Sequence, residues 1–308
     1  MNTKQLKGSL YCILGAFIWG VAFVAQVAGM DHVGPFTFLC VRSWPAAAVL
    51  APFALLSFKK EKAAGLLKDA APQKILGLPG VVGAGVLCGL FLYVASAFQL
   101  CGVQYTTAGK GGFITALYVV MVPLARLFTG RKPSALLWGC VALAAAALWL
   151  LCITPGETGI NKGDVLIFVC AFFFTGQIMT LDKYSPCFSS LQLSFLQFAT
   201  CAVVGTPLML FTETFSLQAV TAAAVPLLYA GVMSSGVAYT LQVMAQKITD
   251  PTVASILFCL ESVFAVLADW VLLHQALSPR ELAGCLVMFA AILLAQHPAA
   301  QGTPAGAK

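Results

Sequence analysis

The chain has 308 residues, of which 60% are hydrophobic and only 9% charged, whereas soluble domains carry about 25% charged residues. This composition excludes an ordinary soluble globular protein. The formal charge of +6 invites a nucleic-acid reading, which the placement of the basic residues then excludes.

A membrane-spanning helix needs about 20 apolar residues. Removing the polar punctuation leaves ten such segments, at 9–29, 34–57, 76–98, 103–128, 134–153, 163–181, 189–211, 222–245, 251–273 and 280–297. The runs are too long for barrel strands and show no sustained alternation, so the expected fold is an all-α integral membrane bundle of ten transmembrane helices. A short basic tail leads into the first span, which carries Trp19-Gly20 at its middle. Met1–Gly29 also has the outline of a signal peptide, but its partner in the second half of the chain favours a retained span. The second span carries Arg42, Trp44 and Pro45. The loop 58–74 is the longest and most basic. The third span holds Gly85 and Gly89 at the spacing that lets helices approach closely. Lys110 opens the fourth span within Ala-Gly-Lys-Gly-Gly, with Tyr118 eight residues on along roughly the same face. Arg126, near the other end of that span, is expected to snorkel to the headgroups. Gln177 and Tyr239 are polar-tipped groups at interior depth in the sixth and eighth spans. The ninth carries Glu261 near its middle and Asp269 towards its end.

Twelve Lys and Arg residues fall on one side of this layout and two, Lys162 and Arg280, on the other. The positive-inside rule then places both termini in the cytoplasm of a cell that holds the chain in its cytoplasmic membrane. The charge records orientation rather than a nucleic-acid partner.

The second half repeats the first. At a shift of 155, Lys7-Gly8 falls on Lys162-Gly163, Arg42 on Gln197 and Pro52 on Pro207. At a shift of 145, Thr107 falls on Thr252 and Gly139-Cys140 on Gly284-Cys285, and Lys110 stands in the helix related to that of Glu261. Two units follow, 8–153 and 160–297. Each has five spans, so the second enters from the opposite side. Such inverted five-helix repeats are typical of secondary transporters with a site at the repeat interface.

With these residues in place the chain resembles the drug/metabolite transporter superfamily, EamA type, over about residues 8–297. The matching pieces are Trp19-Gly20, Arg42, Tyr105-Thr106-Thr107-Ala108, Pro123, Gly139, Gly284 and Glu261-Ser262-Val263-Phe264-Ala265. Ser262 departs from the Pro common there, and Arg131-Lys132 and His274-Gln275 occupy turns where Gly-Glu is common. The resemblance implies a carrier of small organic metabolites, with amino acids or related compounds as substrate and export as direction.

A carboxylate at mid-membrane depth costs roughly 2.5–3.5 kcal/mol and needs a partner or a wet cavity. Glu261 lies about 16 Å from the start of its span at 1.5 Å per residue, and Arg42, entering from the other side, reaches a similar depth. Glu261 therefore reads as a proton carrier or substrate counter-ion, or else as one end of a structural ion pair with Arg42 or Lys110. Trp19, Arg42, Lys110, Tyr118, Gln177, Tyr239 and Glu261 are the candidate substrate-binding or coupling residues. The eleven cysteines sit mostly in apolar runs without metal or disulfide spacing, and the three histidines fall at or near span ends. No metal and no cofactor is expected. No G-x-x-x-x-G-K-[ST] occurs, so ATP does not drive the chain directly. The expected function is alternating-access transport, with proton coupling through Glu261 as one version. A membrane-embedded enzyme acting on lipid or peptide and a passive channel are the alternatives. The expected partners are a small-molecule substrate and the lipid bilayer, and a homodimer is compatible with the sequence.

Overall fold

The computed structural model describes residues 3–64, 73–106, 108–130, 133–153, 159–272 and 278–297, without the side chains of 62–64, 108–110, 269 and 272. The first half contains α1 (Thr3–Met30), α2 (Pro35–Ala64), α3 (Gly80–Val103), α4 (Ala108–Ala116), α5 (Tyr118–Phe128) and α6 (Ala135–Cys152). The second contains α7 (Lys162–Tyr184), α8 (Ser190–Thr212), α9 (Leu217–Ala222), α10 (Ala224–Leu228), a π-helical segment (Tyr229–Ala238), α11 (Tyr239–Gln246), α12 (Pro251–Phe258), α13 (Leu260–Leu272) and α14 (Pro279–Ala295). Among the described residues, nine helical runs are long and apolar enough to cross a membrane. Where the tenth is expected stands α14, with 17 residues.

Local chemistry sets the helix starts. Asn161 and Asp164 form a reciprocal capping box, the Asp164 N–H donating to Asn161 at 3.0 Å and the Asn161 N–H to Asp164 at 2.9 Å. Ser278 and Glu281 do the same for α14, satisfying N–H groups that have no intrahelical partner. Pro45 and Pro52 sit inside α2 without ending it, as neighbouring helices permit in membrane proteins. One departure from an all-helical chain is the antiparallel pair β1 (Lys74–Ile75) and β2 (Leu78–Pro79). Leu76 and Gly77, at φ 55° and 74°, turn it just after the basic loop, so the third helix starts at Gly80 rather than at 76.

The surface is more greasy than the interior. Phe128, Phe211 and Val225 stand at 94%, 87% and 79% exposure, whereas Gln177, Gln197, Ser194 and Ser235 are fully buried. Water would reverse that arrangement. A bilayer favours it, because lipid accepts the apolar groups and the helices satisfy the polar ones among themselves. Nine of the eleven cysteines are buried.

The main packing is between the halves. α2 lies along α8, α3 against α7 and α8, α6 against α14, and α1 against α12 and α13 on one side and the π segment and α11 on the other. Glycine lets several of these crossings close. A Cβ on Gly20 would lie 2.6 Å from Phe264 Cβ and 2.8 Å from the Glu261 carbonyl oxygen. The backbones of α1 and α13 touch there, beside the carboxylate of interest.

Candidate functional site

Three spans lose regular helical geometry at the same place. The fourth breaks at Leu117, whose N–H reaches back only to Ile114 O at 3.2 Å. In the ninth, Cys259 N–H likewise bonds Ile256 O, and its thiol takes the Ser255 carbonyl at 3.3 Å. The eighth runs through the π segment, a geometry frequent at functional sites. Within that segment Gly231 meets the backbone of α2, where a Cβ would come 2.8 Å from the Arg42 carbonyl.

Between these irregular turns lies a cavity with two adjoining lobes, of about 110 Å³ and about 50 Å³. Gln99, Thr115, Tyr118, Phe258 and Glu261 line both. The larger lobe extends past Gly112, Cys152 and Val266. The smaller is floored by Trp19, Tyr239, Ser234 and Gln242, with Gln26 and Arg42 at its edge. Trp19 sets its indole edge-on to Tyr239 and Phe258, with ring centroids 4.8 and 5.3 Å apart, and its buried Nε1 has no partner.

Five of the seven sequence candidates therefore line one cavity: Trp19, Arg42, Tyr118, Tyr239 and Glu261. Gln177 does not. It stands behind the wall, fully buried, and exchanges amide hydrogen bonds with Gln242 at 3.2 and 3.4 Å while donating to Gln197 at 3.4 Å. Its contribution is to hold Gln242. Lys110 lies on α4, but its side chain, like that of Asp269, falls outside the described residues.

Two electrostatic expectations need correction. Glu261 and Arg42 share the smaller lobe but form no ion pair; the Arg42 guanidinium instead donates to Gln26 Oε1 at 3.3 Å and sits 5.7 Å from the Phe38 ring centroid. Buried Arg42 Nε has no partner. Arg126 does not snorkel. It is 7% exposed and donates to the Asp250 carboxylate and, at 3.3 Å, to Thr252 Oγ1. The missed residues are amides and hydroxyls, chiefly Gln26, Gln99, Thr115 and Gln242. Their signal, an uncharged polar group inside an apolar run, was present in the sequence.

The model of the EamA-like transporter family matches residues 6–153 and again 161–296. The chain belongs to the EamA-like transporter family. Two copies of the family's unit account for nearly all of it, and the chain is an all-α, multi-pass membrane transporter. Its substrate is accordingly a small molecule and its surroundings a lipid bilayer. An uncharacterized transporter of Archaeoglobus fulgidus is 29% identical over 299 residues, covering 95% of this chain and 87% of the relative. A crystal structure of a protein superposes with a TM-score of 0.73 at 17% identity, over 94% of this chain and 96% of that one. That likeness shows the fold alone. In this transporter the cavity lies among the three broken or bulged spans, the place where carriers build sites from discontinuous helices.

Proposed function

We propose that the chain is a secondary carrier of small organic metabolites that works by alternating access, with amino acids and related compounds as substrate and export as direction. The observation that carries this reading is the pair of opposite charges, Arg42 and Glu261, which face one cavity of mixed aromatic and amide lining without pairing with each other. A zwitterion supplies a carboxylate to the first and an ammonium to the second, and its side chain enters the larger, less polar lobe. A neutral solute would leave both charges unmatched, which is costly in a low-dielectric site.

Ten transmembrane helices arranged as two inverted repeats, with termini in the cytoplasm, belong to the same proposal. The packing supports it. Exchanging the halves carries α3 against α7 onto the eighth span against α1, and α3 against α8 onto the eighth span against α2. The same exchange carries α13 against α1 onto α4 and α5 against α7. The related glycines behave alike. A Cβ on Gly8 would strike Thr249 Oγ1 at 2.0 Å, and one on Gly163 would strike the Gly102 carbonyl at 2.5 Å.

Proton coupling through Glu261 completes the reading, because a titratable group facing the cavity can be exposed to either side in turn. The test is flux in proteoliposomes of purified protein against a panel of amino acids, dipeptides and neutral sugars. Counterflow of a zwitterionic solute, recovered chemically unchanged, is expected. Flux without counterflow makes the protein a channel, and chemical conversion makes it an enzyme.

A further inference from the structure

The cavity stops short of one membrane face. On α5 its lining reaches no further than Tyr118, and on α12 no further than Phe258. Between those residues and the face assigned to the cytoplasm lie about two turns of each helix. That stretch is a packed plug. All eight residues of α12 are buried, and Val119 and Val122 of α5 are fully buried in the same core cluster as Val253, Ala254, Ile256 and Leu257.

At the bottom of the plug stands the Arg126–Asp250 pair. It joins the last turn of α5, in the first half of the chain, to the start of α12 in the second. Arg126 also donates to Thr252, and Asp250 accepts the Thr252 N–H at 2.9 Å, so the cation grips the cap of the helix that fills the plug. A mostly buried guanidinium with these partners cannot be replaced by headgroup contact while α5 and α12 stay together.

We infer that Arg126 and Asp250 are the gate residues of the cytoplasmic side, a latch that holds α5 on α12 and keeps the cavity closed there. The inference rests on the carrier reading, in which this side must open once per cycle, and opening it requires parting these two helices. A permanent structural pair would keep the plug shut throughout.

Labelling from each side of the membrane tests it. Ala254→Cys places a thiol inside the plug and Ala265→Cys places one in the cavity wall. Each is treated with a membrane-impermeant maleimide, in inside-out vesicles and in intact cells respectively, and peptide mass spectrometry separates these positions from the native cysteines. In Arg126→Gln, labelling at 254 is expected to rise several-fold while labelling at 265 falls. Asp250→Asn should act in the same direction, and because Asn also caps helices it removes the pair without removing the cap. It serves if Arg126→Gln fails to reach the membrane. Arg126→Lys, which keeps the cation, should stay close to the parent. Unchanged labelling at 254, or a rise at both positions, overturns the latch: the first means a permanent pair, the second a loosened fold. Labelling reads access rather than flux, so failure of the carrier reading in proteoliposomes is a separate result.

Discussion

Glu261 and Arg42 hold opposite charges over one cavity without closing on each other. Removing one partner of a buried pair strands the other charge, but among the described residues the Glu261 carboxylate has no paired cation to strand. Glu261→Gln is therefore expected to leave the thermal midpoint in detergent at or above that of the parent. It should abolish accumulation driven by a proton gradient while sparing substrate exchange, because the amide keeps the shape but cannot titrate. A midpoint that falls by many degrees would mark Glu261 as architecture, and intact gradient-driven accumulation would end its coupling role. Arg42→Lys tests the other pole. Lysine keeps the charge but loses the planar fork that engages Gln26 and lies over Phe38, so affinity for a carboxylate substrate should weaken roughly as much as in Arg42→Ala. Parental affinity in the lysine variant would reduce Arg42 to a point charge. These two residues were legible in the sequence because a charge inside an apolar run is conspicuous and its depth follows from counting. Gln177 shows the limit of counting. Depth gives height in the membrane but not the direction in which a side chain points, and in place of Gln177 it is Gln242, held by Gln177 from behind, that faces the cavity.

At the scale of the element, the spans were readable and their irregularities were not. Apolar length alone located nine of the ten expected runs among the described residues, since each gap carries Gly, Pro or charge. The break at Cys259 occurs without proline, in a stretch where Ser262 replaces the Pro common in such proteins, and hydrogen bonds from Cys259 and Ser262 to carbonyls three residues back carry it. The π segment depends on packing against α1 and α2, and no local residue type announces it. Gly20 was legible as part of a motif, and the structure supplies the reason. Gly20→Ala should add up to about 1 kcal/mol of helix propensity. It also drives a methyl group to within 2.8 Å of the Glu261 carbonyl and 2.9 Å of the Ala265 nitrogen. Those are backbone atoms and cannot swing aside, so overpacking of about 1–3 kcal/mol should prevail. The expected result is a lower thermal midpoint together with reduced transport, because the strain falls beside Glu261. A higher midpoint would show that α1 and α13 separate at little cost.

At the scale of the whole molecule, the repeat in the sequence suggested two units, and the packing shows how little either could do alone. The extensive interfaces, α2 with α8, α3 with α7 and α8, α6 with α14 and α1 with α13, all join one half to the other, whereas α1 and α2 barely touch. The twelve-to-two division of basic residues predicts the orientation. A cysteine replacing Lys60 should be shielded from an impermeant reagent in intact cells and one replacing Ile160 should react; the opposite pattern would invert the topology. The interleaving makes the stronger demand. Separated from its partner, the first half would face lipid with polar groups that the second half now covers, among them the Ser57 end of α2, where Ser189 and Gln192 bond at 2.9 and 3.2 Å. Hydrocarbon offers those groups nothing in exchange. Residues 1–156 expressed alone are therefore expected to be degraded or to aggregate on size exclusion in detergent. Supplying residues 157–308 as a second polypeptide should recover a single monodisperse species containing both. A first half that inserts and purifies stably by itself would mean that the two units fold as domains and only later dock, and the interfaces seen here would then be contacts between finished parts rather than the core of one structure.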